Sequence, residues 1–360
     1  MSETNPLTES IESCYKNLAG SDISPVLRLY IEWLKETVIP EFVKNNLLAV
    51  KWQKRYRMTI QSIHMISVII VTIVISQAIF FPHHHQLLWI EVVLICMMFA
   101  FYFTGKKGKY HLNWLKYRFI SERLRSAIFS FVLYDQHDVK KMLEEELLFL
   151  ITQEVRHEWK TVIENIFTKM DEKKKPRVDV STELSNIKHF IMTRWLDDQS
   201  DYHTEKMKSN GKRYSAFETL GFLLLGITLI AAVLHSFGIG NHVSVFSYFS
   251  ALLSDGPVHS KGTPVNLIDT FTFSNLFVVI AVIFPSIAAA IHAVAHSFEM
   301  HKLSFRSQMV IKTLEGMKTR LGTITDPDDL PPFLADLTGL FAREHEEWHS
   351  IVALNEPVVT

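Results

Sequence analysis

Apolar residues along this chain gather into four blocks. Ile60 to Phe81 runs 22 residues without an Asp, Glu, Lys or Arg. Leu87 to Thr104 follows after a five-residue connection and carries Glu91 one turn inside its start. Phe217 to Phe237 has Glu218 at its edge, and Asn275 to Ala295 is again uncharged. A helix rises about 1.5 Å per residue, so each block matches a hydrocarbon core about 30 Å thick. The alternative is a soluble protein whose core helices are apolar all round. A chain of 360 residues holds too little other material to cover four such helices. The pattern therefore predicts an all-α integral membrane protein with spans at 60–81, 87–104, 217–237 and 275–295. They form two tandem transmembrane helical hairpins with long cytoplasmic helices.

The remaining sequence is periodic. Leu112 to Leu133, Val139 to Phe167 and Pro332 to Ala353 place apolar residues at three- and four-residue spacing, the mark of amphipathic helices. Val26 to Leu48 predicts one helix or two, broken at Pro40. No run alternates with period two long enough for a sheet. Val243 to Leu253, in the connection between the last two spans, is semi-apolar and suits either an interfacial helix or a re-entrant segment. The polar run Asp171 to Arg177 contains Pro176 and marks a linker. The division expected is a cytoplasmic helical segment at 1–43, a first two-span unit at 44–170, a linker at 171–185 and a second two-span unit at 186–355.

Charge orients the blocks. The connection 82–86 has no Lys or Arg, and 238–274 has only Lys261. The opposite flanks are basic: Lys51, Lys54, Arg55 and Arg57 precede the first span, and Lys106, Lys107, Lys109, Lys116 and Arg118 follow the second. Lys206, Lys208, Lys212 and Arg213 precede the third, and Lys302, Arg306 and Lys312 follow the fourth. Basic flanks stay on the cytoplasmic side, which places both termini and residues 105–213 there. The first twenty residues hold no apolar core, so no cleaved secretory signal is expected. Lys and Arg number 37 against 38 Asp and Glu, which argues against a chain-wide grip on nucleic acid. Two cysteines, Cys14 and Cys96, exclude a disulfide framework.

The two halves resemble each other. Tyr117-Arg118 follows span two as Phe305-Arg306 follows span four, and Glu158-Trp159 recurs as Glu347-Trp348. The spacing from Arg to Trp is 41 residues in the first half and 42 in the second. A tandem duplication is the expected origin.

Candidate chemistry is sparse. There is no phosphate-binding loop, dinucleotide fingerprint or nucleophile elbow, so neither enzyme activity nor a cofactor is expected. His345-Glu346-x-x-His349 fits the zinc-peptidase pattern H-E-x-x-H, but no third ligand declares itself; a helix face rich in His and Glu is the competing reading. His292, His296 and Glu299 fall on one helical face and suit a divalent ion, a proton gate or simple interhelical hydrogen bonding. Gln61, His64, Thr72 and Ser76 lie within about 120° of arc on span one, a stripe for an aqueous path in an oligomer or for polar helix packing. Pro285 predicts a kink in span four, and Ser286, Ala289, Ala290 and Ala293 predict close helix approach.

Motifs flanking the spans carry a family resemblance. They are Tyr56-Arg57 before span one, Trp114-Leu-Lys-Tyr117-Arg118 with Glu122-Arg123 after span two, Trp195 with Gln199 and His203 before span three, and Phe305-Arg306 after span four. In these residues the chain resembles the SLATT superfamily, prokaryotic two-transmembrane effector modules associated with SMODS nucleotidyltransferases and SLOG sensors. The resemblance implies a bacterial inner-membrane effector of a nucleotide- or ligand-signalled defence system, oligomerising to permeabilise the bilayer. The lipid bilayer, further copies of the chain and a separate cytoplasmic sensor or nucleotidyltransferase are the expected partners. Trp114, Arg118 and Glu122 share one helical face at i, i+4 and i+8, suited to coupling a cytoplasmic rearrangement to the spans, with Trp114 at the headgroup boundary and Arg118 paired to Glu122. A constitutive channel or transporter, or a membrane scaffold, is the alternative function.

Overall fold

The computed structural model describes residues 6–82, 85–145, 153–239 and 272–353. These residues are almost wholly helical and contain no strand. The semi-apolar stretch Val243 to Leu253 lies outside them.

Local chemistry sets the helix boundaries. α1 covers Pro6–Ala19, and α2 covers Pro25–Thr37 with Ser24 as its cap, the Leu27 amide donating to Ser24 Oγ at 3.3 Å. α3 runs from Ile39–Phe80 without interruption. The break expected at Pro40 falls instead at Val38, because Pro40 occupies the first turn, where its missing N–H has no helical partner to lose. At 42 residues, α3 is about 63 Å long, twice what the apolar block needs. α4 covers Leu88–Lys107, α5 Tyr110–Ser130, α6 Gln136–Glu145 and α7 Gln153–Glu172. α8 covers Val180–Ile191, capped by Asp179, and a π-helical turn over Met192–Leu196 leads without a break into α9, Asp197–Ser236. α10 covers Phe273–Ser297, α11 Met300–Thr323 and α12 Leu330–Ala353.

Four helical stretches, containing α3, α4, α9 and α10, are long and apolar enough to cross a membrane, and their most apolar windows are at most 17% buried within the protein. α4 buries no residue at all, and Trp89, Phe222 and Leu229 are each about two-thirds exposed or more. Contiguous apolar surface of this extent is not stable in water. α3 packs along α4, α5 and α10, while α9 packs along α10 and α11. At the α9–α10 contact a Cβ on Gly221 would lie 2.5 Å from His292 Nε2, so the imidazole rests in the space that glycine leaves.

The polar ends of these helices enter one hydrophobic body. Its core takes Leu27, Tyr30, Ile31 and Leu34 from α2, Phe131 from just beyond α5, Trp159 from α7, Phe190 from α8 and Phe333 from α12. Each such side chain contributes roughly 1.5–3 kcal/mol on burial. Both halves of the sequence supply this core.

The halves share a kink. Lys109 (φ 48°) separates α4 from α5, and Glu299 (φ 45°) separates α10 from α11; both lie in the left-handed region. The hydrogen bonds match in order: Gly108 N–H donates to Thr104 O and Asn113 N–H to Lys109 O, as Phe298 N–H donates to Val294 O and Leu303 N–H to Glu299 O.

Candidate functional site

Where the apolar helices meet the helical body, a cavity of about 600 Å³ opens among α3, α5, α9, α11 and α12. Helical spacing places Trp114, Arg118 and Glu122 on one face of α5, and all three line it. Arg118 Nη2 lies 2.6 Å from Glu122 Oε1, and Arg125 Nη1 lies 3.0 Å from Glu122 Oε2. Arg118 also donates to the Tyr202 hydroxyl of α9 at 3.2 Å. Opposite, Arg306 Nη2 of α11 contacts Glu344 Oε1 of α12 at 2.6 Å. His203 of α9 belongs to this second side: its Nε2 lies 3.8 Å from Glu344 and its Nδ1 lies 3.5 Å from Ser307 Oγ. α9 thus joins the two sides, through Tyr202 to α5 and through His203 to α11 and α12.

Burial and neighbours together set the protonation states. Burial pushes the Glu122 carboxyl up, but Arg118 and then Arg125 overcome that and hold it down at about 2. Burial lowers Arg118, but Glu122, Tyr202 and Glu344 together more than restore it, leaving the guanidinium above its usual value. Burial raises Glu344 against the pull of Arg306. His203 is lowered to about 4 by burial and the Arg306 charge. His345 is lowered to about 3 chiefly by burial, against the opposite influence of Glu122 and with that of Arg123 and Arg118. Near pH 7 the cluster holds neutral imidazoles beside the charged Arg118–Glu122 pair. Such pairs add little net stability but cannot be separated cheaply, because a lone buried charge is costly. The arrangement can therefore hold one packing of α5, α9, α11 and α12 and resist intermediates between two packings.

The structure brings together most of the span-flanking residues singled out in the sequence. Trp114, Arg118, Glu122, Gln199, His203 and Arg306 all line the cavity. Trp114 is buried rather than at an outer boundary, stacked on Tyr56 and edge-on to Trp348 at 5.5 Å. Arg123 lies beneath it, over the Phe119 ring at 5.3 Å. Trp195 belongs elsewhere: it is sandwiched between Phe129 at 4.5 Å and Phe341 at 5.0 Å in the main core. Glu344 and Tyr202 were missed, since their partners come from other helices and no spacing announces them.

The candidate metal ligands do not converge. Glu299 occupies the left-handed kink beyond α10 and pairs with Lys302 at 3.0 Å, so it no longer continues the helical register that carries His292 and His296. His345 packs against Phe119 and Trp348 while Glu346 points outward. Among the described residues no three His, Cys, Asp or Glu side chains are placed to hold a metal ion.

On span one, Gln61 is exposed and His64, Thr72 and Ser76 are half-buried; the Thr72 hydroxyl donates to Val68 O in its own helix. On α10, which contains Pro285, Ser286 likewise donates to Val282 O. The buried small residues there are Ala288 and Ala295; Ala289 is exposed, and Ala290 and Ala293 are half-buried.

No protein-family model, curated protein or solved structure matches this chain. The functional reading rests on the residues alone.

Proposed function

We propose that this chain is a multi-pass protein of the bacterial inner membrane that works as an effector: a cytoplasmic signal repacks its helical body, and the spans oligomerise and permeabilise the bilayer. The spans form two hairpins, α3 with α4 and α9 with α10, and the basic flanks place both termini in the cytoplasm. One observation carries the reading. The apolar helices continue into the charged cavity either unbroken, as in α3 and α9, or through a single kinked residue, as at Lys109 and Glu299. A shift in the Arg–Glu pairing of α5, α9, α11 and α12 is therefore transmitted to the spans by rigid elements. The resemblance to SLATT modules supports the same direction, with the activating sensor or nucleotidyltransferase as a separate partner.

The test is membrane potential in cells expressing the full chain over a graded range, beside Arg306→Ala and Glu344→Gln, which loosen the cluster. Dose-dependent depolarisation, reached at lower expression by the variants, supports the proposal. A steady ion-selective current without toxicity identifies a constitutive channel instead. Unchanged potential for wild type and both variants at the highest expression contradicts the effector reading and leaves a scaffold.

A further inference from the structure

The cavity has two ends of different character. In its deep end every arginine has a carboxylate partner, since Glu122 faces Arg118 and Arg125 and Glu344 faces Arg306. Its membrane-side end is flanked by Arg57 on α3 and Arg213 on α9. Arg57 stands three residues before the first apolar block and Arg213 four residues before the third, so they hold matching places in the two halves. The deep arginines Arg118 and Arg306 are matched in the same way, following spans two and four. Both pairs of repeat-related arginines therefore converge on one cavity.

The two ends differ in partners. Among the described residues neither Arg57 nor Arg213 makes an ion pair or hydrogen bond. The Arg57 guanidinium instead lies over the Phe298 ring, its Cζ 4.9 Å from the centroid. Burial, and then the charge of Arg213, lower Arg57 below its ordinary value. Of the acidic residues on the same wall, Glu299 is engaged by Lys302, and Glu205 lies two helical turns before Arg213. Ser209 and Asn210 add neutral hydrogen-bonding groups. Two arginines lining one space, neither of them paired with a carboxylate, leave positive charge that an anion satisfies, and the guanidinium fork matches phosphate oxygens two at a time.

We infer that Arg57 and Arg213 form a binding site for a phosphate-bearing anion at the membrane-side mouth of the cavity, bridging the two halves of the chain. The phosphate belongs either to an anionic phospholipid headgroup or to a soluble phosphate compound; a cavity of about 600 Å³ admits both. The lipid source rests on the membrane reading given above, and the soluble source does not.

Two measurements on the full chain separate the sources. The first counts phosphatidylglycerol molecules retained by native mass spectrometry after extraction from mixed phosphatidylcholine–phosphatidylglycerol bilayers. The second follows thermal unfolding in neutral detergent with inorganic phosphate against chloride at equal ionic strength. Retained phosphatidylglycerol, weakened roughly tenfold in Arg57→Gln/Arg213→Gln, is expected if lipid fills the site. A phosphate-specific rise in Tm, lost in the same variant, is expected if a soluble anion does. Arg55→Gln removes an exposed charge stacked on Trp52 and is expected to change either reading by less than about twofold, as a general basic surface would not predict. Arg213→Gln alone, at an exposed side chain, guards against misfolding of the double variant and is expected to weaken binding about threefold. Neither effect in wild type, or equal loss in Arg55→Gln and Arg213→Gln, overturns the site, whatever the potential measurements show about permeabilisation.

Discussion

Glu122 balances Arg118 and Arg125 from the middle of the cluster, and that gives it the largest single-residue consequence. Replacing it by Gln leaves two guanidinium groups without their carboxylate. The three side chains keep 17–20% exposure, so water softens the penalty, and the loss expected is about 3 kcal/mol. Thermal or denaturant unfolding in detergent measures it; an unchanged Tm would show that the pairs are dispensable. The pH response has a definite sign. His203 and His345 are held neutral in the folded protein, at about 4 and about 3, whereas an unfolded chain protonates them near 6.5. Acid therefore favours unfolding, and their contribution, complete above pH 6.5, is lost as pH falls toward 4 and 3. His349, also lowered by burial, acts in the same direction. The raised Glu344 opposes them, since its contribution is present below its ordinary value and lost as pH rises through the folded one. Three imidazoles outweigh one carboxyl, so Tm falls between pH 6.5 and 4.5. His345→Gln reduces that slope; a slope left unchanged would remove His345 from the account. Below pH 4.5 Glu122 adds its own loss, completed near pH 2.

Two kinks define the element scale. Lys109 and Glu299 hold a left-handed backbone that costs an L residue about 1–2 kcal/mol and a β-branched one more. Lys109→Val and Glu299→Val are each expected to lower stability by a further ~1 kcal/mol or more, while the glycine substitutions are tolerated. Unfolding midpoints of the four variants test this, and valine variants as stable as glycine ones would mean the kinks straighten freely. Neither kink was legible in the sequence, because nothing in Lys or Glu announces a left-handed residue. The four apolar blocks were legible, since each is a long run almost free of charge and each forms a long apolar helix. The Arg118–Glu122 pair was legible too, because four-residue spacing on one helix fixes it. Arg306 with Glu344, and His203 with both, depend on how four helices meet. Spacing within a helix is silent about that. The buried small-residue face of α10 slipped by one position, from Ala289 to Ala288, because helix rotation is set by its neighbours α3 and α9.

The whole molecule combines an apolar surface that water does not tolerate with a helical body whose core draws on both halves. The repeated kink and the paired arginines are what a tandem duplication would leave. The two halves also differ: Trp159 lies in the main core, its Nε1 donating to Leu143 O at 3.0 Å, while Trp348, at the matching sequence position, packs beside the cavity against Trp114. Every step of the proposed coupling requires the four apolar helices to cross the bilayer with their basic ends on one side. The most direct test is labelling of single cysteines, in a Cys14→Ser/Cys96→Ser background, by an impermeant maleimide in intact cells and after lysis. Cysteines placed at Gln86 and Asn241, in the two outer connections, are expected to label in intact cells. Cysteines at Lys54, Lys107, Lys212 and Lys302 are expected to label only after lysis. Labelling of any of the four basic flanks in intact cells, or release of the chain from membranes by carbonate, would contradict the account.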